Sequence, residues 1–145
     1  MKLSTRTRYG IRAMLEIALH RDGRPVDLNE ISRNQEISKK YLHALLVQLK
    51  NGGFITSVRG NAGGYLLAKR PEEITLFDIF STLEGPTELV DCVASSKACN
   101  RYERCATRKL WERIGGTIRK ELEGMSLADL VKECGEDGDS ASYEI

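Results

Sequence analysis

The sequence predicts a mainly α fold with a small β-hairpin wing: a winged helix-turn-helix followed by a long dimerisation helix. Three observations carry that expectation. Apolar residues recur at helical spacing in three successive segments before residue 51. The period then shortens to two in runs at 54–58 and 65–68, joined by Arg59-Gly60-Asn61-Ala62-Gly63-Gly64. Farther on, Leu110, Trp111, Ile114, Ile118 and Leu122 recur at helical spacing with little else to pack against, so they read as the core of a dimer.

The elements follow in order. Ser4 is a candidate N-cap for a helix to about Leu19 that presents Tyr9, Ala13, Met14, Ile17 and Ala18. Residues 21–25 form a turn. Asp27 and Glu30 have capping-box spacing and open a short second helix with Leu28 and Ile31 inward. Ser38 caps a third helix whose buried stripe is Leu42, Leu45, Leu46 and Leu49, and Gly52-Gly53 ends it. After the hairpin, Thr75 starts a fourth helix through Leu83, stopped by Gly85-Pro86. Residues 86–105 read as irregular and polar. A helix over about 106–124 follows, then a short one from Ser126 to about Glu133. Gly115-Gly116 inside the long helix costs roughly 1–2 kcal/mol of propensity and marks either a close crossing or a kink.

This divides the 145 residues into a winged helix-turn-helix DNA-binding domain at 1–85, a cysteine-rich loop at 86–105, a dimerisation helix with a short last helix at 106–134, and a disordered acidic tail at 135–145. The formal net charge of +1 conceals an asymmetry. Residues 1–70 carry 13 Lys+Arg against 5 Asp+Glu, and residues 71–145 carry 9 against 16. A basic half is the electrostatic footprint of a polyanion binder. No apolar run reaches membrane-spanning length and no signal-peptide pattern opens the chain, so a cytoplasmic protein with reduced thiols is expected.

In a winged helix-turn-helix the second helix of the turn motif enters the major groove, its N-terminal residues nearest the base edges. Here that end is Ser38, Lys39, Lys40, Tyr41 and His43. The lysines can neutralise phosphates, and His43 can reach a base edge. The plainer alternatives are first-turn surface lysines and a solvated histidine. Arg59 sits at the hairpin tip with Gly60, Asn61 and Gly63, where small residues let the backbone approach a phosphate or a narrow minor groove.

Cys92, Cys99 and Cys105 fall within one short loop, with gaps of six and five residues. Structural zinc sites use tighter pairs, two to four residues apart, so the wider spacing suits a larger object such as an iron–sulfur cluster. Lys97, Arg101 and Arg104 can offset a cluster's negative charge. Zinc or redox-active thiols, and no site at all, remain the alternatives. For a fourth ligand, Asp91, Glu103 or the first helix of a second protomer are candidates. A helix over 106–124 carries the chain roughly 28 Å away, and the return recovers about 12 Å, so Cys134 stays out of reach within one chain. His20 ends the first helix and reads as a C-terminal cation instead of a ligand.

The stretch Ser57-Val58-Arg59-Gly60-Asn61-Ala62-Gly63-Gly64-Tyr65-Leu66-Leu67, with Ile37-Ser38 and Tyr41-Leu42 ahead of it, closely resembles the Rrf-type winged-helix transcription regulators. Arg8-Tyr9, Ala13-Met14-Leu15, the three cysteines and Leu110-Trp111 add to the likeness, which runs from Met1 to about Val131 and is strongest with the IscR-like iron–sulfur cluster regulators. The resemblance implies a homodimer built on the long helix, a palindromic double-stranded DNA operator, and an iron–sulfur cluster (2Fe-2S first, 4Fe-4S second) held by Cys92, Cys99 and Cys105. Cluster-donating scaffold proteins are implied as further partners. Two positions depart from the pattern. His43 stands where the family has a glutamate that takes part in operator discrimination. Arg108 stands where the fourth ligand is a histidine, and a guanidinium offers no lone pair to iron.

The expectation is therefore a dimeric transcriptional regulator, acting as a repressor, that senses iron–sulfur status and controls cluster-biogenesis genes. A nitric-oxide, redox or cysteine-metabolism sensor is the alternative. An iron–sulfur electron carrier is more remote. An enzyme is not expected, because no nucleophile–base constellation is present and Gly63-Gly64 closes a hairpin instead of opening a helix.

Overall fold

A computed structural model of the chain describes residues 2–20 and 22–141, with side chains through Glu136. Its order is α1 (Thr5–Leu19), α2 (Leu28–Gln35), α3 (Lys39–Asn51), β1 (Ile55–Val58), β2 (Gly64–Leu67), α4 (Leu76–Glu84), α5 (Asp91–Ala94), α6 (Ala106–Gly124) and α7 (Leu127–Ala141). The expected fold, three helices and a two-stranded antiparallel hairpin ahead of a long helix, is the one observed.

Helix α1 is the hub, packed by α2, α3, α4 and α7. Ser4 caps it, accepting from the Thr7 N–H at 3.2 Å. Its inward stripe of Ala13, Met14, Ile17 and Ala18 meets Leu42, Leu46 and Leu49 of α3 and Ile79 and Leu83 of α4 in one core. Glu16 is also buried on α1, a costly placement for a carboxylate unless it is fully bonded. Asn34 Nδ2 at 2.8 Å and Gln35 Nε2 at 2.7 Å satisfy its two oxygens. Arg12 then donates to Gln35 Oε1 at 3.1 Å, so polar bonds fix the end of α2 to α1.

The turn between α2 and α3 reverses at Glu36, a non-glycine residue at φ 55°. Ser32 Oγ donates to the Ile37 carbonyl at 2.5 Å and Ile37 is buried beneath the turn, which offsets the left-handed conformation. Asp27 caps α2 by accepting from the Asn29 N–H at 2.8 Å. The expected reciprocal half of that capping box is absent. Glu30 turns instead to Arg24 and His20, because a charged donor outcompetes a neutral N–H. The Arg24 hydrogen bond, above all, holds the Glu30 carboxyl below its ordinary range.

The wing pairs Ile55 with Leu67 through to Val58 with Gly64. A two-way bridge between Val26 and Tyr65, both bonds 2.9 Å, fastens it to the loop ahead of α2. Gly64 makes that approach possible: its φ is +154°, and a Cβ there would lie 2.4 Å from the Val26 carbonyl oxygen.

The C-terminal elements differ from expectation in three places. The 86–105 segment is not wholly irregular, since it holds α5 and a 3₁₀ turn at Tyr102–Arg104. Helix α7 passes the expected stop near Glu133 and runs to Ala141, into the segment expected as a tail, of which 142–145 lie outside the described residues. Gly135 does not adopt the left-handed conformation that ends helices, and no proline follows to break this one. Finally, α7 joins the core of the first half. The Leu127 N–H donates to the Ile74 carbonyl at 2.8 Å and the Leu76 N–H to the Met125 carbonyl at 2.9 Å, with Leu127 and Val131 buried. Among the described residues, no helix is long and apolar enough to cross a membrane.

Candidate nucleic-acid interface and cysteine loop

The leucine stripe decides which side of α3 faces outward. With Leu42, Leu45, Leu46 and Leu49 buried, Ser38, Lys39, Lys40, His43, Val47 and Gln48 are left exposed. Ser38 accepts from the Tyr41 N–H at 3.3 Å, so the cap fixes where the exposed face begins. None of Lys39, Lys40 and Arg59 enters an ion pair among the described residues, leaving their charge available to an outside anion. Tyr41 is different: half-buried, it stacks edge-on against Tyr9 with ring centroids 6.0 Å apart, and its hydroxyl lies 3.2 Å from Thr5 Oγ1. It fixes the start of α3 to α1 and offers only its outer edge.

Arg59, Gly60 and Asn61 are exposed at the hairpin tip and Gly63 is half-buried beneath it. The Gly63 N–H donates to the Gly60 carbonyl at 3.0 Å, closing the tip, while Gly60 takes φ +111°. Lys50 Nζ donates to Ser57 Oγ at 2.8 Å, tying the end of α3 to β1. Helix α3 and the wing are thus coupled across their shared root, which sequence spacing did not reveal.

The cysteine loop lies on α6. Cys92 sits within α5, half-exposed; Cys99 is exposed, its Sγ accepting from the Arg101 N–H at 3.5 Å. Cys105 stands at the N-cap position of α6. Its sulfur lies 3.1 Å from Thr107 Oγ1, and that contact, then the Arg108 N–H, holds the thiol below its ordinary value. Thiolates are suitable donors for a cluster or zinc. However, among the described residues no three of His, Cys, Asp and Glu are gathered into a group that could hold a metal ion. The exposed Asp91, Glu103 and Cys134 are not drawn in. Arg108 is committed elsewhere: Nε donates to the Tyr102 carbonyl at 3.0 Å, its Cζ lies 4.2 Å from the Tyr102 ring centroid, and its guanidinium pairs with Glu112. The donor chemistry suits a cluster; the placement does not form a ligand set. His20 is equally committed, its ring nitrogens lying 3.2 Å from the Glu16 carbonyl oxygen and 2.9 Å from Glu30 Oε1.

On α6 no residue is buried, and Leu110, Trp111 and Ile114 are 37, 36 and 37% exposed. The helix runs unbroken through Gly115-Gly116, and a Cβ on Gly115 would meet Leu89 at 4.0 Å. That is ordinary van der Waals contact, and a Cβ on Gly116 would meet nothing within 4 Å, so among the described residues the pair marks neither a kink nor a crossing that only glycine permits.

Comparison with known proteins places these features. The family model "Rrf2: Iron-dependent Transcriptional regulator" matches residues 3–133. "Protein rrf2" of Nitratidesulfovibrio vulgaris is 39% identical over 133 residues, covering 92% of this chain and 89% of that protein. The solved structure of T. potens IscR matches with TM-score 0.79 and 34% identity, covering 94% of this chain and 90% of the other. That of CymR, titled the global cysteine regulator of B. subtilis, matches with TM-score 0.78 and 36% identity, covering 92% and 98%.

Proposed function

The chain belongs to the Rrf2 family of transcriptional regulators, and from that premise we propose that it is a dimeric DNA-binding repressor whose signal enters through Cys92, Cys99 and Cys105. Each protomer sets the exposed face of α3 (Ser38, Lys39, Lys40 and His43, with the edge of Tyr41) in a major groove of a palindromic operator. Arg59, with Gly60, Asn61 and Gly63, lies along the adjacent minor groove. The unpaired cations on one face of the helix and at the wing tip are the observation that carries this reading. The apolar strip Leu110, Trp111 and Ile114 supplies the dimer contact.

The signal in this proposal is iron–sulfur cluster status, with cluster-biogenesis genes as targets and a 2Fe-2S cluster as the group held; IscR likeness and the three thiols support it. A second reading, a regulator responding to cysteine metabolism or thiol redox state, draws on the CymR likeness and on the engaged Arg108. Iron and acid-labile sulfide in anaerobically prepared protein, beside a Cys99→Ala variant, decide between them. About two of each per subunit, lost in the variant, support the first; no iron supports the second. DNA binding is tested separately, by the salt dependence of duplex affinity. Binding that does not weaken with salt would overturn the interface.

A further inference from the structure

A cavity of about 530 Å³ opens on the side of the molecule formed by the last turn of α1, strand β2, the Pro71–Glu73 turn and α7. Ile17, Ala18, Leu66, Leu67 and Val131 give it aliphatic walls, with Ala128 beside them. Two opposite charges stand among its lining residues, Glu72 and Lys132. Both are exposed, and neither enters an ion pair among the described residues, although the Lys132 charge acts on Asp129 one turn earlier. His20 also lines the cavity, but its ring nitrogens face Glu16 and Glu30, so it offers ring surface and no free nitrogen.

Size and chemistry together narrow the occupant. The volume falls within the range of small-molecule sites, which pair apolar walls with a few placed polar groups. An aliphatic body would remove Leu66 and Leu67 from water, the favourable term for such a site. A purely apolar ligand would leave both charges unused, and an anion would use one and be repelled by the other. A molecule carrying an ammonium and a carboxylate on an aliphatic body meets both.

We propose that this cavity binds an aliphatic α-amino acid, its carboxylate toward Lys132, its ammonium toward Glu72 and its side chain against Leu66, Leu67, Ile17 and Val131. The site joins the wing strand to α1 and α7, elements that also frame the α3 core. Any coupling to DNA would be reciprocal and would rest on the regulator reading above. Binding itself does not depend on that reading and is tested without DNA.

The test is calorimetric titration of the full chain with L-leucine, isovalerate (no ammonium) and isopentylamine (no carboxylate). It is repeated on Ala128→Leu, which fills the cavity, and on Lys132→Glu, an exposed site whose replacement leaves the core intact. The expected result is L-leucine binding that is about tenfold weaker or more in both variants, with both single-charge analogues weakened similarly. Unchanged L-leucine binding in both variants would overturn the site. Isovalerate or isopentylamine binding as tightly as L-leucine would overturn the zwitterion assignment. No heat with L-leucine up to about 10 mM would overturn the proposal entirely.

Discussion

Helices α3 and α6 carry comparable apolar stripes and meet opposite fates. In α3, with thirteen residues, Leu42, Leu45, Leu46 and Leu49 are all buried within the chain. In α6, with nineteen residues, none is. The difference is one of surroundings, not composition. Helix α3 packs against α1, α2, α4 and β1, whereas the main partners of α6 are α4 and the short α5. An amphipathic helix is stabilised mainly by what covers its apolar face. Helix α3 is therefore covered within the chain, in a core that α7 completes through Leu127 and Val131, whereas α6 keeps an exposed strip that a second copy would cover. The cysteine loop packs, through α5, against this helix with the exposed strip.

The sharpest test of that contrast is truncation within each stripe. Leu46→Ala, at a fully buried position, is expected to cost about 2–5 kcal/mol in chemical denaturation. Trp111→Ala should leave the fold of the first half intact while weakening the dimer by roughly 2 kcal/mol in sedimentation equilibrium. If Trp111→Ala instead unfolds the whole chain, the α6 strip is part of the chain's own stability and not a dimer contact alone.

Smaller effects probe the wing. Gly64→Ala forces a Cβ against the Val26 carbonyl at a φ that L residues avoid, and should cost roughly 1–3 kcal/mol. The Val26 and Tyr65 amides should then exchange faster with solvent. Arg59→Ala should leave stability unchanged and reduce the salt slope of DNA binding by about one phosphate contact. An unaltered slope would remove Arg59 from the interface.

The subtlest effect is on pH dependence. Ser4 Oγ donates to Glu84 Oε2 at 2.6 Å and the Thr7 hydroxyl donates to the same oxygen, and these bonds hold the carboxyl below its ordinary range. A carboxyl with a depressed folded-state value contributes stability above its unfolded value and loses it as pH falls through the folded one. Glu84→Gln should therefore shrink the difference in melting temperature between neutral and acid pH. A variant whose acid limb matches the parent would show that the contact between α1 and the end of α4 carries no pH-dependent stability.

Much of this was legible in the residues. Ser4, Ser38, Thr75 and Ser126 mark helix starts because each hydroxyl accepts from an N–H three residues on, a purely local bond. The leucine stripe of α3 dictated its outward face, and with it the candidate DNA-reading side chains. Where the reading fell short, a distant partner decided. Glu30 left its capping role for Arg24 and His20. Helix α7 continued past Glu133 because nothing in the chain stopped it.

Local chemistry in the sequence thus determined where the helices begin, which face of α3 turns outward, and that the wing closes on glycines, since each depends on residues a few positions apart. Tertiary structure alone decided that α7 completes the core beside α1 and that the cysteines are not gathered into a ligand set. Those outcomes turn on which separated segments meet, and spacing along the chain carries no measure of that.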